Sequence, residues 1–202
     1  MFHKVLIANR GEIALRIVRA LQDLGLPSLV VYADDDAQAP HVRSADQAGA
    51  LGASGPAAYL DGARLLAIAR THGADALHPG YGFLAERADF ARDCAAAGVR
   101  FIGPTPEQLA LCGDKAQARA LAERCGVPLL PGTQQAVTLA QAQAFFEQHA
   151  QAGIVIKAVA GGGGRGMRAI EHAAELPAAY ARCRGEAQAA FGIADVYVER
   201  LM

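Results

Sequence analysis

Residues 154–167 read IVIKAVAGGGGRGM, a short β-branched run that contains a lysine and leads into a glycine-rich turn. A run of this length and composition predicts a buried strand. Glycine lets the following loop wrap closely around a ligand, and successive backbone N–H groups in such a loop form an anion-binding concavity. With Lys157 beside the loop, the pattern predicts a flap over the phosphates of a nucleotide.

Two other interpretations of this loop are weaker. A linker or hairpin loop is also rich in glycine, but it does not need the flanking basic residues. The loop is not a Walker A motif, because Met167 and Arg168 stand where that motif has lysine and a hydroxyl residue. In this chain the lysine precedes the loop.

Composition excludes several classes of protein. The 202 residues are 52% hydrophobic and 19% charged, which favours a globular α/β protein. The net charge of −1 gives no indication of nucleic-acid binding. We expect no signal peptide, no membrane span and a cytoplasmic location. The cysteines show no CxxC spacing, which predicts free buried thiols and not metal ligands; they are Cys94, Cys112, Cys125 and Cys183.

Strands and helices alternate over residues 1–103, which predicts a parallel sheet covered on both faces. The predicted helix after the first strand places five apolar residues on one face: Ile13, Ile17, Val18, Leu21 and Leu24. The other helices are predicted at 62–71 and 86–96, and the strands at 5–8, 29–32, 48–51, 76–78 and 100–102.

A change of pattern follows. Residues 104–129 predict a helical connection, with a capping box at 105–108 and Asp114 as the cap of the next helix. Residues 130–202 predict a small α+β unit, with helices at 139–149 and 178–190 and strands at 154–157, 167–170 and 196–198. The chain stops at Met202 without a cap or polar tail, which we interpret as an interruption.

Two turns in the first half are candidate ligand loops. Residues 7–14 read IANRGEIA and open a strand–helix unit, and Asp34 lies where a ribose-binding acid would sit. The single glycine, flanked by Arg10 and Glu12, argues against NAD or FAD. Residues 78–84 read HPGYGFL at the end of a predicted strand, where both a ligand loop and a structural turn fit. His78 alone is more typical of a hydrogen-bonded core histidine.

Two charged residues in the second half are ambiguous from spacing alone. Lys115, at a helix start, is typical of a solvated surface lysine. Glu199 follows an apolar strand. It is either an exposed strand end or a group that reads the amino group of adenine.

Together these segments resemble biotin carboxylase, the ATP-grasp subunit or domain of biotin-dependent carboxylases. The resemblance covers essentially the whole chain. It is carried by IANRGEIA, HPGYGFL, FIGP at 101–104, GDK at 113–115, and Lys157 with the loop at 161–167.

The resemblance implies a fold and a domain order. Residues 1–103 would form the pre-ATP-grasp domain, a Rossmann-like parallel sheet, and residues 104–129 a helical linker. Residues 130–202 would form the small α+β lid of the ATP-grasp unit, with the large C-terminal domain following residue 202.

The resemblance also implies an activity and its partners. The activity is ATP- and bicarbonate-dependent carboxylation of biotin on a carrier protein or domain, with Mg²⁺ or Mn²⁺, in a homodimer that works with a carboxyltransferase. Acetyl-CoA carboxylase of fatty acid biosynthesis is one such system; acceptors such as propionyl-CoA, methylcrotonyl-CoA, pyruvate or urea are not distinguished by this sequence. No nucleic-acid or membrane partner is implied.

Site residues carried over by the resemblance fall in three groups. Tyr81 and Gly82 would lie on the biotin side, and Arg16, Arg19 and Asp23 at the dimer interface. The metal ligands, the bicarbonate-binding arginine and the general base would lie beyond residue 202, so we expect no metal site or catalytic residue in this fragment. ATP contacts would come from Lys115, Lys157, Gly163, Gly164, Glu199, Arg200, Leu201 and Met202.

The sequence departs from the family pattern at three places. Ala160 precedes only four consecutive glycines, residues 85–87 read AER where Ser-Glu-Asn is usual, and Asp23 replaces a longer acid.

Two other functions remain open. One is a different ATP-grasp ligase, of the carbamoyl-phosphate or purine-pathway type, against which the turns at 9–12 and 78–84 argue. The other is a non-catalytic nucleotide-binding or dimerisation module.

Overall fold

The computed structural model describes residues 2–159 and 166–202, apart from the side chains of Ala116 and Phe191. The chain divides into two compact units, Met1–Ala110 and Leu111–Met202. The segment 104–129, expected to act as a linker, is thus shared between the two units. Among the described residues, no helix has both the length and the apolar character needed to cross a bilayer.

The first unit is built on a five-stranded parallel sheet with the order β3-β2-β1-β4-β5. Its strands are β1 (Val5–Ile7), β2 (Ser28–Tyr32), β3 (Gln47–Ala50), β4 (Ala76–His78) and β5 (Arg100–Phe101). Its helices are α1 (Gly11–Asp23), α2 (Pro40–Ser44), α3 (Gly62–Thr71) and α4 (Ala88–Ala96), and the division between the units falls inside α5 (Pro106–Gly113).

Both faces of the parallel sheet are buried, as the alternating pattern predicts. Val5 and Ile7 pack with the apolar side of α1 on one face, and Leu6 packs with residues of α3 and α4 on the other. Neighbouring residues of a strand point to opposite faces, so a three-residue strand contributes to two cores. The predicted α/β class is confirmed.

Three details of the first unit differ from the sequence prediction. Helix α2 (Pro40–Ser44) was not predicted. Leu24 is exposed because α1 ends at Asp23 and the chain turns away at Gly25, whose φ is +66°. The helix predicted at 86–96 begins at Ala88, because the preceding residues form turns in which the Ala85 and Arg87 amides donate to Gly82 and Leu84.

The second unit contains a three-stranded antiparallel sheet with the order β7-β6-β8. The helices predicted around it are present, and Thr138 forms the capping box of α7 with Gln141. The elements are α6 (Lys115–Arg124), α7 (Leu139–Gln148), β6 (Ile154–Ala158), β7 (Met167–Ile170), α8 (Leu176–Phe191) and β8 (Val196–Arg200).

The cysteines are free thiols, as predicted, but only two of the four are buried. Cys94 and Cys183 lie in the cores of the two units, whereas Cys112 and Cys125 are exposed. The prediction of burial was wrong for Cys112 and Cys125. Along the chain, both lie in the helical segment that follows β5 and precedes β6, and neither belongs to a hydrophobic core. Burial raises the pKa of Cys94 to about 12, so this thiol stays protonated and behaves as a small apolar side chain.

His41, in α2, is a fully buried histidine with neither ring nitrogen in a hydrogen bond to another described residue. Burial lowers its pKa, and neighbouring Arg10 adds to that effect, although Asp36 and the Val31 backbone oppose it. The folded state therefore binds a proton on this ring less readily than the unfolded chain does. The contribution of neutral His41 to the free energy of unfolding is therefore fully present above the unfolded pKa of about 6.5. It is lost as the pH falls below that value.

We expect His41→Leu to lose less stability between pH 7.5 and pH 5.5 than the unchanged chain does. Leucine has a similar size, does not titrate and leaves no buried polar atom without a partner. Urea midpoints followed by circular dichroism at the two pH values measure this difference. Equal losses for both chains would show that His41 does not contribute to the acid sensitivity.

Candidate functional site

The antiparallel sheet of the second unit has one buried face and one charged face. Ile154 and Ile156 of β6 pack in the core beside α7 and α8, so Val155 and Lys157 lie on the opposite face. The register pairs Val155 with Glu199 and Lys157 with Tyr197. Residues paired across strands share a face, which makes Lys157 and Glu199 diagonal neighbours on the charged side.

Glu199 is the centre of an ion cluster on that face. One carboxylate oxygen, Oε2, accepts a hydrogen bond from Lys157 Nζ, and the other, Oε1, accepts one from a terminal nitrogen of Arg119. The Glu199 side chain is 9% exposed, whereas that of Lys157 is 30% exposed. Burying a carboxylate this far is costly unless it is paired and hydrogen-bonded, as Glu199 is here. Glu199 is therefore not an exposed strand end.

Helix α6 contributes two cations to the same region. Lys115 and Arg119 are four residues apart and share a helix face. The Lys115 ammonium donates to the Val159 carbonyl oxygen at 3.0 Å, and burial, with a smaller effect of Lys157, lowers its pKa. Asp114 caps the helix as predicted, with its Oδ1 accepting from the Gln117 amide at 3.0 Å.

A small cavity lies against this cluster. Its volume is about 230 Å³, and both Lys115 and Arg119 line it. Most of the cavity surface is apolar, although the remaining lining residues include two carboxylates: Asp114, Thr133, Gln134, Gln135, Ala136, Val159, Asp195 and Tyr197. Asp114 and Asp195 balance the charges of Lys115 and Arg119, so the cavity offers cationic contacts to an anionic group without a net positive charge.

The segment from Glu199 to Met202, expected to line an adenine pocket, runs along the end of the sheet. The Arg200 amide donates to the Pro131 carbonyl oxygen at 2.8 Å and the Leu201 amide to that of Gly153 at 3.0 Å. Met202 is exposed. These bonds fix the path of the segment while leaving its adenine role a prediction. Gly163 and Gly164 lie outside the described residues.

In the first unit, two motifs that are distant in the sequence form one rigid loop structure. Asn9 is buried, and its Nδ2 donates to the carbonyl oxygens of Pro79 at 2.8 Å and Tyr81 at 2.9 Å. Gly80 has φ +66°, and a Cβ there would lie 2.6 Å from Asn9 Nδ2. The turn at residues 9–12 therefore holds the loop at 78–84 against the carboxyl end of the sheet, where ligands of parallel sheets bind.

The loop so held presents Tyr81 outward. The Tyr81 side chain is 66% exposed and its hydroxyl lies 3.4 Å from Glu12 Oε1. His78 faces inward by contrast: its Nδ1 accepts from the Gly80 amide at 3.0 Å, and burial lowers its pKa. Gly82 has φ +68°, a conformation that glycine adopts without strain.

Residues 1–109 match the family model described as the N-terminal domain of biotin carboxylase. The chain belongs to the biotin carboxylase family. Residues 114–202 match a second model, the ATP binding domain of the carbamoyl-phosphate synthase L chain. The ion cluster around Glu199 lies within this second match.

Known relatives agree with the biotin carboxylase assignment. The chain is 48% identical over 200 residues to the biotin-dependent acyl-coenzyme A carboxylase alpha3 subunit of Mycobacterium leprae, covering 98% of this chain and 33% of the relative. Biotin carboxylase of Campylobacter jejuni, solved as a β,γ-ATP complex, superposes with a TM-score of 0.96 at 37% identity, covering 100% of this chain and 46% of that one.

A third relative was solved with several ligands. It is the biotin carboxylase domain dimer of Hydrogenobacter thermophilus 2-oxoglutarate carboxylase, in complex with MgADP, ADP and bicarbonate. Its TM-score is 0.94 at 40% identity, and the match covers 100% of this chain and 45% of that one. This chain therefore spans between a third and a half of the length of these three relatives, and 17% of the length of mouse pyruvate carboxylase, with which it is 45% identical.

Three residues expected at a biotin carboxylase dimer interface lie together on α1. Arg16, Arg19 and Asp23 are all exposed, and their spacing of three, four and seven residues places them on one helix face. Their role at an interface remains a prediction.

Arg119 is a site residue that the sequence analysis missed. Its spacing of four residues from Lys115 on a predicted helix was the available signal. Its partner Glu199 is 80 residues away, and no local pattern connects the two.

Proposed function

We propose that the complete natural protein carboxylates biotin on a carrier, using ATP and bicarbonate, and that this chain supplies the ATP-binding lid and the pre-ATP-grasp domain. The ion cluster of Lys157 and Arg119 around Glu199, with Lys115 on the adjoining helix, carries the proposal. It lies in the part of the chain that matches an ATP binding domain. Membership of the biotin carboxylase family supports the choice of reaction.

The described residues fit the anionic part of a nucleotide. Lys115 lines the cavity of about 230 Å³, and the partly exposed Lys157 lies close by. Arg119 also lines the cavity, but its terminal nitrogens are engaged by Glu199 and the Leu130 carbonyl oxygen. Phosphoryl transfer depends on positioning and on neutralising charge, and lysine ammonium groups act as mobile point charges on phosphate oxygens. Bound ATP supplies the phosphoryl group that activates bicarbonate. Lys115 and Lys157 would orient it.

A metal site is not evident in the part of the chain that the structure describes. No group of three His, Cys, Asp or Glu residues there is arranged to hold an ion. The ligands of Mg²⁺ or Mn²⁺ would lie beyond residue 202, as the family resemblance implies.

The remaining elements of the proposal concern biotin, assembly and location. Tyr81, with Gly82, would contact the biotin side, supported by its exposure on a loop fixed by Asn9. Arg16, Arg19 and Asp23 would contribute to a homodimer. The protein would act in the cytoplasm with a carboxyl carrier and a carboxyltransferase, for example in acetyl-CoA carboxylation for fatty acid biosynthesis. The named relatives use different acceptors, so the acceptor is left open.

The decisive experiment measures ADP release by the complete natural protein. We expect release to require bicarbonate and to be stimulated by free biotin. A second candidate is a different ATP-grasp ligase. It is supported by the match of residues 114–202 to the ATP binding domain of the carbamoyl-phosphate synthase L chain. Stimulation by ammonia or glutamine, with no effect of biotin, would support that candidate and contradict ours.

We expect the 202-residue chain by itself to have no biotin-dependent activity. In the family it resembles, the bicarbonate-binding arginine and the general base lie in sequence beyond its residue 202. A bicarbonate-dependent ATPase assay with free biotin tests this, and Lys157→Ala of the same chain provides the background rate. Turnover clearly above that background would contradict the prediction.

A further inference from the structure

Two cations share the carboxylate of Glu199, and they are held differently. Arg119 gives one terminal nitrogen to Glu199 Oε1 and the other to the Leu130 carbonyl oxygen at 2.8 Å. The Lys157 ammonium donates to the other carboxylate oxygen, Oε2. The Arg119 side chain is 16% exposed and that of Lys157 is 30% exposed. Arg119 is therefore the fixed partner and Lys157 the more accessible one.

Gly132 lies directly against the Glu199 side chain. A Cβ at residue 132 would lie 2.8 Å from Glu199 Cγ, and the backbones of Gly132 and Glu199 form an isolated bridge. The carboxylate is thus enclosed between β8, the segment at 130–132 and the Arg119 guanidinium. Lys157 is the least enclosed member of the cluster.

A phosphate group reaching this face would compete with Glu199 for the Lys157 ammonium. A lysine side chain has a flexible stem and moves between acceptors readily. If Lys157 were the only partner of Glu199, its departure would leave an uncompensated buried charge, which is strongly unfavourable. Arg119 avoids this cost because Glu199 keeps a charge-assisted hydrogen bond after Lys157 leaves.

We infer that Arg119 is a positioning residue for nucleotide binding, which holds the Glu199 carboxylate so that Lys157 can exchange it for a phosphate oxygen. The inference rests on the proposed function, specifically on binding of the ATP phosphates at Lys157. Arginine suits the role better than lysine because its planar fork reaches Glu199 and Leu130 at once.

A double-mutant cycle in the complete natural protein tests this role. Binding of the non-hydrolysable analogue AMPPNP with Mg²⁺ is measured by calorimetry for Arg119→Ala, Glu199→Gln and the double variant. With Glu199 present, we expect Arg119→Ala to weaken binding about tenfold. With glutamine at 199 there is no buried charge to hold, so removing Arg119 should change affinity less than about twofold.

Two further variants serve as controls. Arg124→Ala removes the same charge from the exposed last turn of the same helix and should leave affinity within about twofold. Arg119→Lys keeps the charge beside Glu199 and loses the Leu130 bond, so we expect intermediate affinity. This variant also keeps the test valid if Arg119→Ala does not fold.

The outcomes distinguish a failure of the role inferred for Arg119 from a failure of the proposed function. An equal loss on removing Arg119 in both backgrounds would indicate a merely structural role and overturn the inference, while leaving the proposed function intact. Absence of analogue binding by the unchanged protein would overturn both. A loss confined to the background that contains Glu199 supports the inference.

Discussion

Replacing Lys157 with alanine in the complete natural protein should reduce kcat/KM for ATP far more than replacing Lys115 with arginine. Lys157 lies on the charged face of the sheet, next to the cavity, and its ammonium donates to the Glu199 carboxylate. Removing a charge-assisted contact to phosphate costs about 1.5–3 kcal/mol, which is roughly a 10- to 150-fold loss. The loss is larger if the contact strengthens in the transition state.

Lys115→Arg is the matched comparison because it keeps the positive charge at the start of α6. Because the charge is retained, we expect a smaller effect on kcat/KM than for Lys157→Ala. The wider guanidinium, which has to fit where Lys115 donates to Val159, accounts for whatever loss remains. Steady-state kinetics in ATP measure both variants, and thermal melts check that each is folded. An unchanged kcat/KM for Lys157→Ala would rule out the assignment of this residue to the phosphates.

The second large effect is on stability. Glu199→Ala should destabilise the unit Leu111–Met202 by about 3 kcal/mol, because it leaves the Arg119 and Lys157 charges on the sheet face without their shared carboxylate. We place the value at the low end of the range for buried pairs because Lys157 is 30% exposed and water offsets part of the loss.

Glu186→Ala is the control for this prediction. Glu186 pairs with Arg168 in the same unit, but both side chains are well exposed, and such pairs contribute less than about 1 kcal/mol. Hydrogen exchange of the amides in β6 and β8 reports the opening free energy of this sheet, and the strands of the first unit serve as an internal reference. Similar losses for the two variants would contradict the importance of the buried cluster.

Much of the fold was predictable because the signals are local. The bounds of α3 and β4 match the prediction, and the capping box at Thr105 forms, with Gln108 Oε1 accepting from the Thr105 amide at 2.8 Å. Apolar periodicity, caps and glycine stops act over a few residues, so the sequence alone contains them. The parallel sheet followed from the alternation of strands and helices for the same reason.

The candidate site was predictable in part. Lys157, Lys115 and Glu199 were each identified from their place beside a strand or helix end, although spacing alone left Lys115 as a surface lysine and Glu199 as a strand end. The structure brings all three to one face of the antiparallel sheet and the adjoining helix. The side on which each residue lies followed only from the strand register, because a shift of one residue moves every side chain to the other face.

The sequence by itself determined the α/β class, the order of the elements, and the lysine beside the glycine loop. Only the tertiary structure decided that Arg119 meets Glu199 across 80 residues and that Asn9 holds the Tyr81 loop across 72 residues. The physical reason is the sequence separation over which each interaction acts. Propensity, periodicity and capping act between near neighbours in the chain, whereas an ion pair or a side-chain bond to a distant carbonyl exists only after packing has placed its two ends together.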